Sequence, residues 1–159
     1  MKRIGALIVA VLAAAAMGKL FHRADVGKLQ PVRAVYIRHE EGQVTVSADT
    51  GETGAGPDVQ AAFEALKQTA SAEVFLDTAD FVLFDENSGD LLPEVYEILR
   101  PGARVCLTEG EVDPEAAGKY LAVHRPEVTL AQCRAGEKEI PVLRVRGGRM
   151  ELVGETDQS

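Results

Sequence analysis

Between Glu73 and Glu86 the chain reads EVFLDTADFVLFDE. Two short apolar runs, Val74–Leu76 and Phe81–Phe84, flank a polar bend at Asp77–Asp80. A half-exposed strand alternates apolar and polar positions. Phe81–Phe84 is apolar at four successive positions, as expected of a strand covered on both faces. Amphipathic helices are predicted on either side of it. Pro57–Ala70 places Val59, Ala62, Phe63 and Leu66 on one stripe, with Glu64, Lys67 and Gln68 opposite. Leu91–Leu99 turns Leu91, Leu92, Val95, Ile98 and Leu99 inward, and Pro93 is tolerated in its first turn. A strand between two such helices belongs in the middle of a mixed α/β layer.

Upstream, Val32–His39 and Gln43–Ala48 are β-rich and joined by Glu40-Glu41-Gly42, a hairpin pattern. Val35 and Ile37 would share a face with Val44 and Val46, leaving Arg33, Thr45 and Ser47 toward solvent or an edge. The next segment, Asp49–Pro57 (DTGETGAGP), has glycines at 51, 54 and 56. It lacks the lysine and hydroxyl residue of a phosphate-binding loop and the dinucleotide glycine spacing, and reads as a plain loop into a helix. Downstream, Arg104–Thr108, Val128–Cys133 and Ile140–Arg146 are predicted strands, and Gly147-Gly148 turns the last into Arg149–Val153. Asp113-Pro114-Glu115 supplies a cap, a first-turn proline and an acid for a helix reaching about His124. The expected order is β-β-α-β-β-α-β-α-β-β-β: one mixed α/β domain over residues 32–153, with about three helices and a mobile tail at 154–159.

The N-terminal stretch Met1–Gly18 is MKRIGALIVAVLAAAAMG. Lys2 and Arg3 precede an apolar run, and Ala14-Ala15-Ala16 is a small-residue site, the layout of a secretory signal peptide. A signal anchor is the other reading, with Ile4, Leu7, Ile8, Val9, Val11 and Leu12 in the bilayer. Eighteen residues of helix span about 27 Å, just short of a ~30 Å hydrocarbon core. Residues 19–31 then form a linker. Either reading sends the remainder across a membrane, with the membrane itself and other exported or membrane proteins as partners.

Apolar residues make up 46% of the 159-residue chain and charged residues 26%, a globular composition. Aromatics are 5% with no Trp, so the core must rest on aliphatic side chains. The formal charge of −8 is unevenly spread. Residues 1–38 carry +6, residues 39–99 carry −13 and residues 100–159 carry −1. So acidic a body excludes nucleic acid, which requires a positive footprint. No cofactor motif occurs.

Candidate chemistry is sparse. Cys106 and Cys133 form no CxxC pair and stand at no zinc spacing from a histidine. They read as two buried thiols, or as a disulfide between neighbouring strands if the domain is exported. Of the histidines, His22 lies beside the membrane segment and His39 at a hairpin turn. That leaves His124 as the one base available to a Cys106 thiol dyad. Asp77, Asp80 and Asp85, with Glu86, could supply an acid/base pair, or could simply line a solvated loop. Asp85–Asp90 (DENSGD) is part of a calcium-loop pattern, with Asp85, Asn87 and Asp90 as its ligands. Glycine stands at the fifth position, and Tyr96 at the twelfth where a carboxylate is needed. A turn in which Asp90 or Ser88 caps the next helix is the simpler reading. A small exported enzyme is thus the alternative to a non-enzymatic module.

From Asp25 to Thr108 the order of elements resembles the N-terminal domain of the C subunit of spore germinant receptors, the Ger(x)C family. Asp25-Val26-Gly27-Lys28-Leu29, followed by VRAVYI and GQVTVS, is similar to that family's opening strand pair. Ala61, Ala62 and Leu66 stand where the family has an "eAl..l" helix. EVFLDTADFVLFDE has the layout of its "lFlgHlkviiige" stretch, and Arg100–Arg104 is similar to its "RDPEIR" turn. Ile140–Leu143 through Gly154 looks like the start of the family's following segment. Thr78 replaces the family's histidine, the turn after Arg100 is one residue shorter, and no lipobox cysteine follows the apolar run. The sequence stops where the family's C-terminal half would begin. What the resemblance implies is a non-enzymatic protein on the outer face of the spore inner membrane that works by contact with other membrane proteins.

Overall fold

The computed structural model describes residues 29–154. The predicted membrane segment, linker residues 19–28 and tail residues 155–159 lie outside that range. The chain forms strands β1 (Leu29–Pro31), β2 (Ala34–Glu40), β3 (Gln43–Ala48) and β4 (Thr53–Gly56), then helix α1 (Val59–Thr69). Strand β5 (Glu73–Phe75) runs through a 3-10 turn, Leu76–Thr78, into β6 (Phe81–Asp85). A second 3-10 turn, Gly89–Leu91, opens the short helix α2 (Leu92–Val95). Strand β7 (Arg104–Glu109), helices α3 (Pro114–Val123) and α4 (Leu130–Ala135), and strands β8 (Val142–Arg146) and β9 (Arg149–Val153) follow.

Seven strands form one mixed sheet in the order β4-β3-β2-β6-β7-β8-β9, and β1 pairs with β5 in parallel beside it. The four central strands β2, β6, β7 and β8 are parallel, and antiparallel hairpins extend both ends. Strand β6 is therefore the middle strand, as its unbroken apolar run requires. Val82 and Phe84 point to one face and Phe81 and Leu83 to the other, all buried. On the first face α1, α2 and Leu130 of α4 cover Val35, Ile37, Val46, Val82, Phe84 and Val105. Ala117 and Leu121 of α3 cover Ala34, Tyr36, Phe81, Leu83 and Cys106 on the second. Parallel strands added in sequence order with right-handed crossovers bring their connections to one face, which accounts for α1, α2 and α4 lying together. Helix α3 departs from that rule within the long β7–β8 connection.

Caps fix the helix ends. Asp58 accepts from Ala61 N at 2.7 Å to start α1, and Asp113 accepts from Glu115 N and Ala116 N to start α3. Val35 and Ile37 do share their face with Val44 and Val46, joined by Ala48. Arg33 is exposed and Thr45 and Ser47 are half-buried, while α3 buries Ala34 and Tyr36 on the opposite face of β2.

Several predicted elements change. Among the described residues there are four helices rather than about three. Val128–Cys133 is not a strand: one bridge pairs Thr129 with Arg104, and α4 then begins. Thr129 and Gln132 form a reciprocal capping box, so two otherwise unsatisfied donors are satisfied and the helix prevails over the β-branched start. The predicted Leu91–Leu99 helix contracts to Leu92–Val95 behind its 3-10 turn. The Asp49–Pro57 loop contains β4, an edge strand with Gly54 and Gly56 buried toward α1. A Cβ at Gly54 would stand 2.7 Å from Leu66 Cα, and one at Gly56 would stand 2.7 Å from Ala62 N. Both are closer than side chains tolerate, so these glycines let α1 lie directly on the strand backbone. Residues 29–31 of the predicted linker are β1. Val74–Leu76 belongs to the small β1–β5 pair and its 3-10 turn, not to the main sheet.

Candidate functional site

Open parallel α/β sheets usually present ligand sites beyond the carboxyl ends of their strands. Here side chains fill part of that end, and an open hollow lined by Glu40, Glu41, Gln43 and Thr45 lies beside it. Tyr36 and Thr108 point to the same face from β2 and β7 and are buried, their hydroxyls 3.4 Å apart. Burial pushes the Tyr36 phenol above its ordinary value, the Thr108 hydrogen bond offsets part of that, and the Asp85 charge adds to the rise. Ser88 is fully buried, and its hydroxyl accepts from His39 N at 2.8 Å rather than capping the next helix. At the end of β7, the Glu109 carboxylate accepts from Arg144 Nε at 2.7 Å and from Arg146 at 3.1 Å. Those two bonds hold its carboxyl below the usual glutamate range.

The thiol dyad does not assemble. Cys106 is fully buried in the second-face core, and burial pushes its thiol up to about 12. A nucleophilic cysteine needs the opposite, a positive and partly exposed setting that lowers the value. His124 caps the C-terminus of α3, exposed, with its ring stacked on Tyr120 at 4.5 Å. Among the described residues no hydrogen bond joins it to Cys106. Cys133 is half-buried on α4, and both thiols are free, so the disulfide alternative is not formed.

The carboxylates are also dispersed. Asp77 is exposed in the 3-10 turn, and Asp80 pairs with the Arg100 guanidinium just before β6. Asp85 closes the same strand at its other end. Five residues of strand separate Asp80 from Asp85 by about 16 Å, beyond what one acid/base pair can span. Asp85, Asn87 and Asp90 fall in a turn where Ser88 N donates to the Asp85 carbonyl. Among the described residues no group of three His, Cys, Asp or Glu side chains converges as metal ligands would.

The opposite, amino end of the parallel strands holds a cavity of about 460 Å³. It is lined by Arg33, Asp80, Phe81, Arg100, Gly102, Arg104, Ala122 and Arg125. Arg33 precedes β2, Arg104 opens β7, and Ala122 and Arg125 lie at the end of α3. Four arginines and one aspartate thus line one hollow in a chain of charge −8. Sequence reading missed the group because its members are spread over ninety-odd positions, and only strand order gathers them.

Compared with known proteins, the chain matches no family model, no curated protein and no solved structure. Among the described residues no helix is long and apolar enough to cross a membrane. The predicted anchor, Ile4 to Leu12, lies outside those residues.

Proposed function

We propose that this chain is a non-enzymatic binding or assembly module at the outer face of a membrane, on the pattern of the N-terminal domain of the spore germinant receptor C subunit. One observation carries the reading. Lys2 and Arg3 lead directly into the apolar run Ile4–Met17, and behind it comes a body whose residues 39–99 hold fourteen acids against Lys67 alone. A positive flank and an apolar run ending in small residues are the layout of an export signal, and Lys19, Arg23 and Lys28 just beyond the run favour cleavage over retention as an anchor. The resemblance, resting on sequence patterns, supplies the setting: a spore-forming bacterium, with other membrane or exported proteins as partners.

The separation of the chemical candidates supports contact over catalysis. The Cys106 thiol is sealed in the core, His124 stacks on Tyr120, and the carboxylates stand at opposite ends of β6. Fractionation tests the proposal. Full-length chain should sediment with membranes or leave the cell, be digested by protease added outside, and cross-link to another membrane protein. Removing residues 1–18 should leave it in the cytosol. Intact full-length chain found free in the cytosol would refute it.

A further inference from the structure

The cavity at the amino end of the sheet supports a step beyond partner contact, because its charge runs against that of the whole molecule. Its walls carry Arg33, Arg100, Arg104 and Arg125 against Asp80. Two of the four guanidiniums are held in place. Arg100 donates through Nε to the Ala79 carbonyl at 2.9 Å and pairs with Asp80, while Arg104 donates to the Pro126 carbonyl. The other two, Arg33 and Arg125, have no side-chain partner among the described residues. The Asp49 carboxylate accepts from the Arg33 backbone N at 3.0 Å, a bond that leaves the side chain to the cavity. Phe81 and Ala122 add apolar wall.

Several other exposed charges of this protein pair along helices or across strands. Around this hollow, two arginines without a side-chain partner among the described residues stand with two fixed ones. Guanidiniums are always charged and repel one another, so gathering them costs free energy that an anion would recover. The volume lies within the ~300–1,000 Å³ of small-molecule sites, far larger than one carboxylate needs. Planar donor forks match phosphate oxygens bidentately, and a net excess of three positive charges matches a group carrying two or more negative ones.

We propose that this cavity is a binding site for a phosphate-bearing anion, with Arg100 and Arg104 as its fixed donors and Arg33 and Arg125 closing on the ligand. The site does not depend on how the chain is attached to a membrane. The phosphate can come from a soluble phosphorylated metabolite or from an anionic lipid headgroup, and the two sources are separable.

Full-length protein in detergent micelles would be titrated calorimetrically with pyrophosphate. Arg33→Ala/Arg125→Ala should weaken binding about tenfold or more, since it removes charge-assisted hydrogen bonds. Arg33→Lys/Arg125→Lys should recover only part of the loss, because lysine keeps the charge without the fork. Modification of native arginines by phenylglyoxal, read by mass spectrometry, needs no variant to fold. Pyrophosphate should slow labelling of Arg33 and Arg125 but not of Arg149. Protection by pyrophosphate alone identifies a soluble source. Protection also by micellar phosphatidic acid, but not by phosphatidylcholine, identifies a headgroup. The proposal is overturned if none of these protects, if the double alanine variant binds pyrophosphate like wild type, or if only an acidic polypeptide protects.

Discussion

Replacing Gly54 by alanine puts a methyl group into the backbone of α1. The new Cβ would lie 2.7 Å from Leu66 Cα and in still closer contact with the Ala62 carbonyl oxygen and the Leu66 amide nitrogen. These neighbours are helix backbone and cannot rotate away as a side chain would. Either β4 or α1 must move, and α1 carries Val59, Ala62, Phe63 and Leu66, all buried in the first-face core. Overpacking typically costs 1–3 kcal/mol where side chains can adjust, so about 3 kcal/mol is expected here. For a domain of this size that lowers the melting temperature by about 6–12 °C. Gly89→Ala is the control, because its Cβ would make ordinary contact with Leu107 Cδ2 at 3.5 Å and its φ is negative. Urea and thermal unfolding followed by circular dichroism give the two values. A Gly54→Ala protein as stable as Gly89→Ala would refute the claim that this glycine-rich segment is a strand with a helix seated on it.

Other consequences can be checked independently. Native Cys106 should resist thiol reagents while half-buried Cys133 reacts, with both reacting in denaturant; rapid labelling of Cys106 in the folded protein would reopen the thiol-enzyme reading. Because the folded Cys106 value is about 12 against 9.0 for the free thiol, its contribution to stability is complete below pH 9 and is lost as pH rises toward 12. Wild type should therefore lose about 1.4 kcal/mol per pH unit more than Cys106→Ala between pH 9 and 11, and parallel curves would contradict this. Glu109 has the opposite sign: its carboxyl lies below the ordinary value, so its contribution is present at neutral pH and fades as pH falls through that lowered value. Glu109→Gln should flatten part of the acid limb of stability, and an unchanged limb would count against the Arg144 and Arg146 pairing. Thr129→Ala breaks the capping box of α4 and should cost about 1 kcal/mol in urea unfolding, whereas an unaffected midpoint would show that the cap is idle.

How much of this was legible in the sequence depends on whether side chains carried the signal. The β6 run, the β2–β3 and β8–β9 hairpins and the α1 stripe each have the period or turn chemistry of their element, and each forms close to its expected bounds. Strand β4 was hidden because glycines have no side chains to alternate. Its trace is the spacing itself, Gly54 and Gly56 two apart and so on one face. Helix α4 was masked by Val128 and Thr129, while the Thr129–Gln132 pair was the signal to weigh. The distance between Asp80 and Asp85 could have been read from the length of the strand between them. The arginine cavity could not, since nothing local in Arg33, Arg100, Arg104 or Arg125 says that β2, β6 and β7 are neighbours.

The proposal most open to a direct test is that residues 1–18 carry the acidic α/β body across a membrane. Alkaline phosphatase fused after Ser159 folds into active enzyme only outside the cytoplasm, so it reports the side directly. The account predicts high activity for the full-length fusion and almost none when residues 1–18 are removed. Equal activities, or an inactive full-length fusion present in normal amount, would contradict it.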